Sequence, residues 1–132
     1  MKQISIIFPN QLFEESPILD FKCEILMLED SLFWGNDKKY KCINHINKII
    51  FLRSAMYSYR EYLQKSGFKV IYGFNEKNFD TSDYLSKYQV ENYDNVNIIE
   101  PHDYLLSRRL NNFLKKNNIK VNILNSPMFL IK

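Results

Sequence analysis

Short apolar runs alternate along this chain with longer stretches in which apolar residues recur every three or four positions. The short runs are QISIIF (3–8), EILML (24–28), FKVIY (68–72), NVNIIE (95–100) and IKVNIL (119–124). Between the second and third, Ile49, Leu52, Met56, Tyr59 and Leu63 fall at alternating three- and four-residue steps, which predicts a helix over about 44–65 with one apolar face. Gly67 then stands where a helix C-cap belongs. Leu106, Leu110 and Phe113 predict a second helix over about 103–116, and TSDYLSKYQ (81–89) a shorter one capped by Thr81 or Ser82. Strands alternating with crossover helices predict an α/β fold: one Rossmann-like, doubly wound, five-stranded parallel sheet spanning 1–132 as a single domain. The long stretch EDSLFWGNDKKYKC (29–42) reads as an irregular loop, kept ordered by Leu32, Phe33 and Trp34.

In such a sheet a ligand sits outside the carboxyl ends of the strands, where strand order reverses. The usual order puts that crevice between the first and fourth strands. PNQLF after the first and EPHDY after the fourth therefore meet there, with Glu29 and Asp30 close by. His45 and Lys48 fall in the first turns of the long helix and point to the crevice rim. The amides of Asn10 and Gln11 suit the edge of a planar heterocycle, and Phe8, Phe33, Trp34 or Tyr104 could stack on its face. Plainer roles compete. Asp103 stands at an N-cap position, Glu29 and Asp30 could be strand-end carboxylates, Asn10 could close a turn, and His45 could continue the inward stripe that ends in a core.

The first strand ends without the glycine-rich turn that seats a pyrophosphate on a helix N-terminus, which disfavours a full dinucleotide. No Ser/His/Asp or Cys/His set is recognisable, so the chain reads as a holder without catalytic residues of its own. Its net charge of +3 is spread through pairs such as Lys38-Lys39 and Lys115-Lys116, which predicts no strong nucleic-acid face. Cys23 and Cys42 form no CxxC pair, so neither zinc nor a disulfide framework is expected. No apolar run approaches the ~20 residues of a membrane helix. A soluble, intracellular protein is the expectation.

FPNQLF, LEDSLFWG, NHINKIIFLRSAMYSYREYLQKSGFKVIY, EPHDYLLSRRL and the closing SPMFL resemble, in order and spacing, the N-terminal α/β domain of the bacterial cryptochrome/photolyase-related proteins, the iron-sulfur photolyases and cryptochromes. Gln11-Leu12, Glu29-Asp30 with Phe33-Trp34, His45 and Lys48, Arg53 to Met56, and Glu100 with Asp103-Tyr104 meet the family pattern. The resemblance implies a light-harvesting antenna domain whose crevice holds 6,7-dimethyl-8-ribityllumazine or a similar chromophore. Gln11, Leu12, Glu29, His45, Asp103 and Tyr104 would line it. It also implies that FAD, the iron-sulfur cluster and the DNA-repair chemistry belong to a helical domain outside this chain, expected as a separately encoded partner. An apolar docking patch is expected around Phe129 and the 29–42 loop. A stand-alone nucleotide-binding or interaction module, or an inactive remnant of a split photolyase gene, would share the same scaffold.

Overall fold

The computed structural model describes residues 2–13, 16–39, 46–101 and 103–125. Five strands pair in parallel: β1 (Gln3–Ile7), β2 (Glu24–Leu28), β3 (Val70–Gly73), β4 (Asn95–Ile99) and β5 (Lys120–Leu124). Their order is β3-β2-β1-β4-β5, so the chain winds outward from β1 in both directions and the reversal falls between β1 and β4. This is the expected α/β sheet. Among the described residues the connections carry α1 (Ser31–Trp34), α2 (Ile46–Lys65), α3 (Thr81–Lys87) and α4 (Tyr104–Lys116).

Strand β1 lies at the centre, and the chain there is apolar on both faces because both are covered. Ile4, Ile6 and Phe8 pack with Leu26, Leu28, Val96 and Ile98 beneath α3 and α4. Ile7, Ile25, Met27 and Ile99 pack on the other face against Ile18 and against Met56, Tyr59 and Leu63 of α2. Each of these large side chains contributes roughly 1.5–3 kcal/mol on burial. On the α4 side the expected Leu106, Leu110 and Phe113 are all buried.

Several boundaries differ from the sequence reading, each for a local reason. Among the described residues, connection β1 to β2 holds one 3₁₀ turn, Pro17–Phe21, with Pro at its start and Ser16 Oγ capping Ile18 N. The 29–42 stretch is not wholly irregular: Asp30 caps the one-turn helix α1, and Gly35 ends it at φ 80°. Helix α3 is capped by Asp80, not by Thr81 or Ser82. Asp80 and Asp83 each accept from the other's backbone amide, a capping box that Thr81 cannot make from inside the helix. Strand β3 starts two residues late because Gly67, at φ 95°, and Phe68 still close the end of α2, with Phe68 N donating to Leu63 O at 3.0 Å. Ile49 and Leu52 are only half-buried, since packing on α2 begins at Met56.

Gly73 ends β3 opposite Leu28. A Cβ there would stand 2.6 Å from Leu28 Cδ2, 3.1 Å from Tyr88 Cε2 and 3.3 Å from Met27 O. Leu28 is fully buried and cannot swing away. Gly73→Ala is therefore expected to cost about 1–3 kcal/mol, the usual range for overpacking, read as a lower urea midpoint at unchanged slope.

Candidate functional site

Three polar clusters line the carboxyl edge of the sheet. The first is at the β1–β4 reversal, where Gln11 is 3% exposed. Its Nε2 donates to Ile99 O at 3.1 Å and its Oε1 accepts from Phe8 N at 3.3 Å. The amide thus ties the ends of β1 and β4 together across the crevice floor.

Glu29 centres the second. Its side chain is wholly buried at the tip of β2, and four donors converge on the carboxylate. Arg53 donates from Nε to Oε2 at 3.0 Å and from Nη2 to Oε1 at 2.5 Å. Asn75 N donates to Oε1 at 2.8 Å, and the Tyr72 hydroxyl donates to Oε2. Burial, then that bond to Glu29, drives the Tyr72 hydroxyl pKa well above the ordinary phenol value. The hydrogen bond to Glu29 likewise raises the pKa of Arg53. Around this pair the Arg53 guanidinium carbon lies 5.8 Å from the Trp34 ring and 6.0 Å from Phe74. Tyr57, Tyr72 and Phe74 pack edge to face or tilted, with Arg60 over both tyrosines.

The third cluster lies on the α3–α4 side. Asp37 is buried and takes a two-pronged contact from Arg109, Nη1 to Oδ1 at 2.6 Å and Nη2 to Oδ2 at 2.9 Å. Asp30 lies close enough to feel both charges. Its Oδ1 accepts from Leu32 N at 3.0 Å. Neither its Oδ2 nor the Thr81 hydroxyl completes a hydrogen bond of ordinary geometry among the described residues, although Thr81 stands near enough to favour the carboxylate. Burial dominates and lifts the Asp30 carboxyl to a pKa of about 6; the Leu32 amide, Thr81 and Arg109 oppose the rise and Asp37 adds to it.

Residues 5–132 match the deoxyribodipyrimidine photo-lyase-related protein family. The chain belongs to that family. It is also 38% identical, over 137 aligned positions, to an uncharacterized protein of Acanthamoeba polyphaga mimivirus, an alignment that takes in 99% of this chain and 67% of the viral protein.

The expected site residues of this photolyase-related chain take several different places. Gln11, Glu29 and Asp30 lie inside the carboxyl edge, bonded to their own chain. Leu12 packs on the α2-side core. Phe33 stacks on Phe8 with ring centres 6.5 Å apart, beside the α3–α4 core. Asn10 is exposed in the turn after β1, and Lys48 is exposed in the first turn of α2. Asp103 caps α4, its Oδ1 accepting from Leu106 N at 3.0 Å, and Tyr104 next to it is 78% exposed under Arg108. His45 and Phe129 lie outside the described residues. Sequence reasoning did not single out Tyr72, Asn75, Asp37 or Arg109. Arg53, a lone cation in the apolar stretch IIFLRSAM, carried the one visible signal of a buried partner.

Among the described residues no three His, Cys, Asp or Glu side chains are grouped to hold a metal ion, and no helix is long and apolar enough to cross a membrane. What the edge offers a ligand is an apolar, aromatic rim with cations set into it. A concavity of about 860 Å³ lies at the opposite, amino edge, lined by residues that include Lys22, Cys23, Gly67 and Lys69.

Two outcomes follow for the photolyase-related edge. Arg53→Met removes two of the four donors to a wholly buried carboxylate, and is expected to cost about 3–5 kcal/mol in chemical denaturation. Asp30 gives a pH signature. Its pKa is raised from 3.8 to about 6 in the fold. Stability from this group is therefore complete below pH 3.8 and is lost as pH rises through about 6. At neutral pH the ionised form costs the fold about 3 kcal/mol. Asp30→Asn keeps an oxygen to cap Leu32 and cannot ionise. It is expected to raise stability at pH 7.5, and its advantage over the wild type shrinks by about 1 kcal/mol at pH 5. Melts of both proteins at the two pH values measure this.

Proposed function

We propose that the chain is an antenna domain of the photolyase-related family that holds a planar, light-absorbing heterocycle, a ribityllumazine or a close relative, at the carboxyl edge. One observation carries the reading. Six of the seven large apolar side chains exposed among the described residues, Ile46, Ile50, Phe51, Phe74, Tyr104 and Ile123, lie at the carboxyl end of the sheet or on the first turns of the helices that leave it, and Tyr62 stands apart in the last turn of α2. Isolated exposed apolar residues are ordinary, but a collar of them around a strand-order reversal marks a surface meant to be covered. Aromatic faces such as Tyr104 suit stacking on a ring, and Lys48 suits the polar ribityl chain. The rest of the collar, with the apolar first turns of α2, would be covered by a helical FAD-binding domain outside residues 1–132. Iron-sulfur chemistry and DNA repair or light sensing would reside in that domain. This chain would feed it excitation energy and catalyse nothing itself.

Purified protein is expected to take up 6,7-dimethyl-8-ribityllumazine with a rise in its fluorescence polarisation and to retain it through gel filtration. Tyr104→Ala and Lys48→Ala change exposed side chains, so each should weaken uptake several-fold while melting within about 3 °C of the wild type, as surface substitutions usually do. A protein that binds neither the lumazine nor riboflavin at millimolar concentration would sink the antenna reading.

A further inference from the structure

The amino edge carries its own concavity. About 860 Å³ is open between the start of β1, the residues leading into β2 and the turn that ends α2. That is within the size range of sites for small organic ligands. Its lining brings three lysines, Lys2, Lys22 and Lys69, against one carboxylate, Glu24, which sits 3.4 Å from Lys69. A concavity lined mainly by one sign of charge raises the local concentration of the opposite ion, so this lining favours an anion. The walls are not wholly polar. Phe21 and Phe68 supply ring surface. One lining residue, Cys23, is tied into the sheet: its Sγ lies 3.2 Å from Ser5 Oγ, which buried Asn97 reaches at 3.3 Å. Gly67 leaves the wall open, since a Cβ on it would meet nothing within 4 Å.

We propose that this amino-edge cavity binds a small organic anion, a phosphate monoester or a carboxylate attached to a ring. The lysines hold the anionic group and Phe21 and Phe68 the ring. The site is on the far side of the sheet from the carboxyl-edge collar, so it stands whether or not a chromophore binds there.

Phenyl phosphate and benzoate are the probes, titrated into uniformly ¹⁵N-labelled protein. Saturable shifts are expected at the amides of Lys22, Cys23, Gly67 and Lys69, and Lys22→Glu should raise the apparent Kd at least tenfold. Lys69→Gln, which removes the cation 3.4 Å from Glu24, should raise it less. Saturation by both probes assigns the site to organic anions in general; saturation by one assigns it to that headgroup. The thiol gives a second reading independent of any variant. Cys23 should be carboxymethylated by iodoacetate faster, relative to neutral iodoacetamide, than free cysteine is, and either probe should slow it. Shifts confined to the carboxyl edge, or none with either probe, would overturn the proposal, as would a Kd unmoved by Lys22→Glu.

Discussion

A carboxylate taken wholly out of water loses several kcal/mol of hydration, and Glu29 recovers that only through the groups around it. Those groups come from three separate segments: Arg53 from the second and third turns of α2, Tyr72 from β3, and the Asn75 backbone just beyond. None can move without exposing or orphaning the charge. The position of α2 on the sheet, the path of the chain out of β3 and the rotamer of Arg53 are therefore fixed together. Arg53 in turn carries Trp34 and Phe74 against its faces, so the collar inherits its shape from the same ion pair.

The sheet and its order were legible because they follow from patterns a few residues long. Apolar runs and three-four spacing placed every strand and the two long helices, and the order of such elements leaves few topologies. The polar site was less legible, for a physical reason. Glu29 bonds to partners 24, 43 and 46 positions away, and Gln11 reaches Ile99 across 88. Such pairings exist only once the sheet has formed, and no local spacing encodes them. Hence Glu29 and Gln11 stood out as polar residues at strand ends, the correct place, without the donors and acceptors that hold them. The capping of α3 was missed at closer range. Thr81 and Asp80 are both good cap residues, and only the reciprocal bond with Asp83 decides between them.

The polar groups on the crevice floor being held by the chain itself changes what a ligand there can use. Gln11 has its oxygen on Phe8 and its nitrogen on Ile99, so turning it toward a ligand would break the link between β1 and β4. A buried donor or acceptor left empty costs roughly 1–3 kcal/mol, more than one new hydrogen bond returns. The recognition proposed at that edge must therefore come from the side chains that already face outward, the aromatic and lysine positions on the first turns of α2 and α4. The two edges of the sheet then differ in kind. At the carboxyl edge buried ion pairs fix the frame and leave an apolar rim; at the amino edge Lys2, Lys22 and Lys69 form a lysine rim. The proposed ring suits the first and the proposed anion the second, and one small sheet can present both because neither rim carries the fold.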